Sequence, residues 1–306
     1  MRHAIEYCLF QLFKWVILAL PLKSAQRLGY YCGSVAYYFF SSRRVVAIEN
    51  LHFSFPDKSE SEILAIVKGA FCNYGIAIAE FLWFPNLTEE GIRRLIDVQN
   101  IDVMTDRYSP DKGMIMLSGH FGNWELIALG FAYLSRIPMT IIVQTQSNRL
   151  VDAVVNRHRC LFGNKVVPMG MSVREIIRTL NAGGLIAIAS DQSGPMEGVF
   201  VEFFGRSVGT HQGPAAFALR ASVPVVMGFL IRKPDWTYEA ILEEVPSDDL
   251  HGYTDENVVE LTRRHTALLE KYIRLHPDHW LWMHRRWKHT LDSVVREKQA
   301  FDSLHA

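Results

Sequence analysis

The sequence predicts an α/β fold in which a mostly parallel sheet is flanked by helices, preceded by an N-terminal membrane segment. Two observations predict the sheet: short apolar runs recur between residues 114 and 231, and stretches with helical periodicity separate most of them. Strands that alternate with helices of this length lie parallel and are covered on both faces. A third observation, two almost uncharged runs before residue 43, predicts the N-terminal segment.

Each element of the sheet region is predicted from its own pattern. Residues 61–84 follow a serine-rich cap and stop before Pro85, as a helix does. The remaining elements, in chain order, are strand 114–119, helix 124–134, strand 139–144, helix 148–162, strand 165–168, helix 172–182, strand 185–190, apolar run 199–204, helix 212–221 and strand 223–231.

The first 42 residues differ in composition from the rest of the chain. Residues 4–20 carry only Glu6 and Lys14 as charges, and residues 28–40 carry none. A full membrane crossing takes about 20 apolar residues, so the first run either spans with its charges at the surface or lies in the interface. The alternative is a pair of buried core helices. We therefore predict a membrane-anchoring segment at 1–42 and a second domain at 43–306.

Composition excludes several classes of protein. With 49% hydrophobic residues, the 306-residue chain is able to bury a sizeable core. Its 32 basic and 32 acidic residues lack the positive excess of a nucleic-acid-binding protein, so no nucleic-acid partner is predicted. The four cysteines are widely spaced, which predicts neither a disulfide framework nor a thiolate metal site and fits a reducing compartment.

One histidine occupies a position suited to catalysis. In a chain of this composition, chance alone places an acidic residue five positions after a histidine about once. The periodicity and position of each such pair must therefore decide which one is functional. Four such pairs occur, at 52/57, 120/125, 251/256 and 265/270. Only His120 lies between two nearby glycines, Gly119 and Gly122, and follows a predicted strand, at the sheet edge where α/β proteins bind ligands.

The residues around His120 suit proton transfer. Gly119 and Gly122 permit a tight turn, and Asn123 is a good helix N-cap. Glu125 then lies in the first helical turn, where a carboxylate is stabilised and is able to orient an imidazole. His120 is the predicted general base, which takes a proton from an attacking hydroxyl. The alternative is a structural turn in which Glu125 serves only the helix dipole.

Several blocks together resemble one enzyme family. The sequence GHFGNWE at 119–125 is similar to the catalytic block of the late lipid A acyltransferases, the lauroyl and myristoyl transferases of lipopolysaccharide synthesis. The similarity continues, in family order, through Arg159–Gly163, Asp191-Gln192, GVFVEFFG at 198–205, THQGPA at 210–215 and HPDHWLWMHRRWK at 276–288.

The resemblance implies a glycerolipid-acyltransferase-like fold and an acyl transfer reaction. It implies an acyl-carrier-protein thioester as donor, a lipid A precursor hydroxyl as acceptor, and no metal or other cofactor. The enzyme would work at the cytoplasmic face of the bacterial inner membrane, with His120 and Glu125 as catalytic pair. Predicted substrate-binding residues are Asn123, Arg159, Asp191, Gln192, Arg206, Arg285 and Arg286.

One departure leaves the acceptor open. After the second strand many members carry a basic residue, where this chain has Gln144. Acylation of a lysophospholipid or another membrane lipid is therefore a second hypothesis. A third is a membrane-bound module that binds a lipid or carrier protein without catalysis, although such a protein is expected to have lost His120 or Glu125.

Overall fold

A seven-stranded sheet lies at the centre of the protein, a computed structural model of which describes residues 2–170, 173–196 and 198–290. Its strands are β1 (Ile96–Val98), β2 (Met114–Ser118), β3 (Met139–Val143), β4 (Lys165–Pro168), β5 (Leu185–Ala189), β8 (Val225–Arg232) and β9 (Tyr238–Val245). The order across the sheet is β1-β9-β8-β2-β5-β3-β4, and β8, β2, β5, β3 and β4 run parallel. β9 is antiparallel to β8, and β1 is parallel to β9. The predicted mostly parallel α/β architecture is confirmed.

Helices cover both faces of the sheet. They are α1 (Arg2–Ala19), α2 (Leu22–Phe39), α3 (Ser41–Ser54), α4 (Glu60–Trp83), α5 (Glu89–Leu95), α6 (Asp102–Arg107), α7 (Trp124–Ser135), α8 (Arg149–Arg159), α9 (Val173–Asn181), α10 (Gly213–Ala221) and α11 (Asp255–Leu275). Short 3₁₀ turns lie at Phe84–Asn86, Leu161–Gly163 and Pro277–His279. α4 begins with a capping box, in which Ser59 and Glu62 each satisfy the other's backbone amide.

The predicted elements of the sheet region are observed, with shifts of a few residues at their ends. Ser172, the predicted start of the ninth helix, lies outside the described residues, as does the stretch from 291 onwards. The apolar run at 199–204 pairs with a strand that the pattern did not predict, giving the antiparallel hairpin β6 (Val199–Phe203) and β7 (Arg206–Thr210).

Two apolar cores lie on opposite faces of the sheet because successive strand residues point to opposite sides. Along β2, Ile115 and Leu117 belong to one core and Met114 and Met116 to the other, all at most 2% exposed. The burial of every residue of β2 fixes the strand end that carries His120.

α2 packs unusually close to α4 because glycines line the contact. A Cβ atom on Gly33 would lie 2.3 Å from the carbonyl oxygen of Phe71, and one on Gly75 would lie 2.3 Å from that of Gly29. Helix backbones approach this closely only where side chains are missing. The N-terminal helices are thus packed onto the remainder of the chain, and the proposed boundary at residue 42 stays a prediction.

The outer surface of these N-terminal helices is apolar. On α1, Ile5, Leu9, Leu12 and Val16 recur at helical spacing and are 43–63% exposed. α2 exposes a second row, Tyr31, Val35, Tyr38 and Phe39. Within the described ranges, only residues Glu60–Asn86 form a helix long and apolar enough to cross a membrane, and 44% of its apolar window is buried inside the protein.

Candidate functional site

The site lies where parallel strands end side by side. β2 lies between β8 and β5, so the turn after Ser118 and the turn after Ala189 emerge next to each other. His120 follows β2, as the sequence predicted for this edge, and Asp191 follows β5. Gln144 follows β3, the next strand across.

The turn that presents His120 requires glycine. Gly122 has a φ of +58°, and a Cβ atom there would lie 1.9 Å from the carbonyl oxygen of Leu230. Its amide donates to the carbonyl oxygen of His279. Asn123 then starts α7 as its N-cap, because its Oδ1 accepts a hydrogen bond from the Leu126 amide at 2.9 Å. The predicted cap is confirmed.

Asp191 holds His120 through two hydrogen bonds. Its Oδ1 lies 2.7 Å from Nδ1 of the imidazole, and its Oδ2 accepts the backbone amide of His120 at 2.7 Å. The indole nitrogen of Trp280 donates to the same Oδ2 at 2.7 Å. With Oδ2 engaged by two N–H donors, Oδ1 is left to accept Nδ1–H, which fixes the tautomer with an unprotonated Nε2.

Burial and charge set the protonation of this pair. Burial alone would favour a neutral His120, but the charge and hydrogen bond of Asp191 outweigh it and raise the His120 pKa above its ordinary value. Burial likewise works against ionisation of Asp191, yet the charge of His120 and the hydrogen bonds from His120 and Trp280 lower its pKa to about 2. Asp191 therefore carries a negative charge at neutral pH.

The other ring nitrogen of His120 faces a cavity. The His120 side chain is 20% exposed, and Gln192 Nε2 lies 3.4 Å from His120 Nε2, the geometry of a weak donor to an unprotonated nitrogen. The cavity measures about 200 Å³ and runs between β3, β5 and α7. Its polar lining includes Glu125, Gln144 and Arg159, and its apolar lining comes from the sheet and α7.

Glu125 pairs with Arg159 rather than with His120. Nε of Arg159 donates to Oε2 of Glu125 at 2.9 Å, and Nη2 reaches Oε1. The predicted orienting bond between Glu125 and His120 is thus replaced by the bond from Asp191. Glu125 is the second residue of α7, and its carboxylate points to Arg159 at the end of α8. Asp191 contacts the imidazole instead, because β5, which it follows, lies next to β2 in the sheet. Glu125 stays close enough for its charge to help raise the His120 pKa.

Two of the predicted substrate-binding residues have buried structural partners. Asn123 is 1% exposed, and its Nδ2 donates to Oε2 of the buried Glu80 at 2.8 Å. Arg286 is 1% exposed and donates to the carbonyl oxygen of Gly209 and the hydroxyl of Thr210. Neither side chain lines the cavity, so the contacts that the structure gives them are packing contacts, and substrate contact by either stays a prediction.

The remaining predicted basic residues differ in position. Arg159 lines the cavity while bound to Glu125, and Arg285 is exposed. Arg206 is exposed with its guanidinium 3.4 Å from the ring centre of Phe53. A further arginine, Arg232 of β8, is buried and pairs with Glu80 and Tyr238.

The segment after α11 completes the site, which the sequence pattern did not predict. Trp280 contacts Asp191, and the Leu281 amide donates to the carbonyl oxygen of His120 at 3.0 Å. His284 accepts a hydrogen bond from the Ser193 amide through its Nε2. The signal available in the sequence was the aromatic and basic block at 276–288, which formed part of the family resemblance but did not indicate which residue its tryptophans contact.

Comparisons with known proteins agree on one family. The family model of bacterial lipid A biosynthesis acyltransferases matches residues 1–289. The lipid A biosynthesis palmitoleoyltransferase of Escherichia coli K12 is 27% identical over 282 residues, covering 90% of this chain and 88% of that protein. The lauroyltransferase of the same organism is 26% identical over 90% of this chain and 88% of its own, and the myristoyltransferase is 26% identical over 84% and 77%.

Proposed function

Because the chain belongs to the bacterial lipid A biosynthesis acyltransferase family and is an acyltransferase, we propose the donor, acceptor and residues of its reaction. The donor is the thioester of acyl carrier protein, and the acceptor is a hydroxyl of a lipid A precursor. The observation that carries the mechanism is the hydrogen bond between Asp191 and His120, whose side chain lines a cavity.

His120 acts as the general base. Its Nδ1–H donates to Asp191, so the lone pair on Nε2 takes the proton of the acceptor hydroxyl. The hydroxyl oxygen forms a bond to the thioester carbonyl carbon. The carbon–sulfur bond then breaks, and the imidazolium returns its proton to the carrier thiolate, which leaves an ester and a free thiol.

Asp191 and Glu125 serve His120 in different ways. Asp191 orients the ring and stabilises the imidazolium through direct contact. Glu125 contributes charge from the cavity wall while its bond to Arg159 holds it in place. We therefore propose that the catalytic role of Glu125 is electrostatic. We also propose that the side-chain amide of Gln192 contacts the substrate through its Nε2 atom.

The acceptor and the cellular site are proposed from the surface. Arg206 and Arg285 are exposed, and guanidinium groups bind phosphates of an anionic glycolipid well. The apolar rows on α1 and α2 suit burial in the headgroup region of a bilayer. We place the enzyme at the cytoplasmic face of the bacterial inner membrane, where acyl carrier protein is available.

The test is a reconstituted transfer assay with His120→Ala. Purified protein receives an acyl-carrier-protein thioester and, in separate reactions, a lipid A precursor or a lysophospholipid. We expect wild-type transfer to the lipid A precursor and a loss of about 10²–10⁴-fold in the variant, the usual contribution of a general base. His251→Ala is the matched control, since His251 heads the same spacing pattern in an exposed loop.

Two results would contradict the proposal in different parts. If His120→Ala keeps more than about a tenth of the wild-type rate, His120 is not the base. Transfer to the lysophospholipid alone would refute the acceptor but leave the His120 mechanism standing.

A further inference from the structure

A second cavity lies between α2, α4 and the segment after α11. It measures about 590 Å³. Its lining is mainly apolar and includes Cys32, Phe40, Arg43, Tyr74, Ile78 and Leu281. Its size is within the range of about 300–1,000 Å³ that ligand cavities occupy.

This cavity shares a wall with the catalytic site. Leu281, in its lining, donates its amide to the carbonyl oxygen of His120. Tyr74, also in its lining, stacks on Trp124 with ring centres 5.9 Å apart, and the Trp124 ring centre lies 4.8 Å from that of His120. A ligand that touches Tyr74 is therefore separated from the His120 ring by two aromatic side chains, Tyr74 and Trp124.

Its opening joins the apolar surface of the N-terminal helices. Phe40 and Ile78 line the cavity while 59% and 38% exposed, and Tyr31 and Val35 of the exposed row on α2 lie beside its Cys32 and Ala36 in sequence. The first cavity, in contrast, has Glu125, Arg159 and glutamines beside its apolar lining. The second cavity is thus the more apolar of the two and suits the hydrocarbon chain of a membrane lipid, whereas the first suits a more polar ligand.

We propose that the second cavity holds a fatty acyl chain already carried by the lipid acceptor, while the donor thioester uses the first cavity. This assignment rests on the proposed function and adds a binding site to it. A chain lodged against Tyr74, whose ring stacks on Trp124 next to His120, would bring a hydroxyl on that lipid toward Nε2 of His120. Arg43, whose Nη1 donates to the Met283 carbonyl in the cavity wall, suits an anionic group on the same lipid.

Cys32 allows a direct test by thiol alkylation. Cys8, Cys32 and Cys160 are exposed and Cys72 is buried, so Cys8→Ser with Cys160→Ser leaves Cys32 as the reactive thiol. Its alkylation by N-ethylmaleimide is followed by intact mass in detergent micelles. The additions are the lipid A precursor, the same lipid with its chains removed, and the acyl-carrier-protein thioester. We expect slower alkylation with the intact precursor only.

A neighbouring position serves as the control for shielding by detergent. Tyr31→Cys in a background without exposed cysteines places a thiol next to position 32, on the exposed row outside the cavity. Its alkylation rate should not change with the precursor. Protection of Cys32 by the thioester alone, protection by neither ligand, or equal protection of both positions would each overturn the proposal.

A kinetic measurement separates this cavity from the general mechanism. Cys32→Trp and the smaller Cys32→Phe fill the cavity, and we expect the KM for the precursor to rise about tenfold, as for the loss of about two buried methylene groups. The KM for the thioester should stay near wild type. Arg27→Trp, at an exposed position of α2 outside the cavity lining, should change neither KM. If both fillings leave the precursor KM unchanged, the cavity assignment fails while acyl transfer through His120 stands.

Discussion

Asp191→Asn is the sharpest test of how His120 is held. In the native site Oδ2 of Asp191 accepts two N–H donors, the His120 amide and the Trp280 indole. An asparagine must place its only oxygen there, which turns its NH₂ group toward Nδ1 of His120. Nδ1 then accepts, and the proton moves to Nε2. The variant holds its base in the tautomer that is unable to take a proton.

The size of the loss follows from the charge removed. Two unit charges about 4 Å apart at an effective dielectric constant of about 20 interact by about 4 kcal/mol. Since about 1.4 kcal/mol is tenfold in rate, removing the Asp191 charge from the imidazolium costs up to about 10³-fold in kcat. The wrong tautomer adds to this, so Asp191→Asn should be at least as impaired as Asp191→Ala.

The assay is kcat/KM for acyl transfer as a function of pH, together with ¹⁵N spectra of His120. Protonated His120 is unable to act as base, so the wild-type rate rises with pH through the His120 pKa, which Asp191 raises above about 6.5. In Asp191→Asn the inflection should move to lower pH, and the spectra should show hydrogen on Nε2. A variant that retains a tenth of the rate with an unchanged inflection would refute the reasoning.

Three further predictions concern the surrounding structure. Glu125→Gln should lower kcat by about 10–100-fold, less than Asp191→Asn, because its charge acts without direct contact; a larger loss than in Asp191→Asn would restore Glu125 as the orienting group. Glu80→Ala leaves buried Arg232 without its carboxylate partner and should lower the free energy of unfolding in urea by about 3–5 kcal/mol. Glu90→Gln, which alters an exposed ion pair, should change that free energy little. Equal effects of the two substitutions would contradict this prediction. Leu9→Ser with Leu12→Ser should lower partitioning onto phospholipid vesicles by about 10²-fold without changing the circular dichroism spectrum, and unchanged partitioning would remove α1 from the membrane contact.

The sequence predicted those parts of the site that depend on neighbours along the chain. The turn at His120, the cap at Asn123 and the position of Glu125 in the first helical turn all follow from a strand, a pair of glycines and a helix start within a dozen residues. The pattern of strands and helices was sufficient to predict the architecture, because alternate strand residues are buried on the two faces of the sheet and the predicted strands are therefore mostly apolar.

The sequence did not predict contacts that depend on strand order. Asp191 is 71 residues from His120 and meets it only because β5 lies next to β2, which periodicity does not specify. The hairpin partner β7 was missed because Arg206 and Ser207 lack an apolar alternation. The role of Trp280 was missed because the sequence does not indicate whether the indole N–H of a tryptophan donates to an aspartate or lies at a membrane surface.

The contact between Trp280 and Asp191 also bears on biosynthesis. The two residues are 89 positions apart, and ribosomes add about 5–20 residues per second, so the indole arrives roughly 4–18 s after the carboxylate. Until then Oδ2 of Asp191 has the His120 amide as a donor but not the Trp280 indole. We therefore expect chains that end before Trp280 to hold the pair of His120 and Asp191 less firmly than longer chains do.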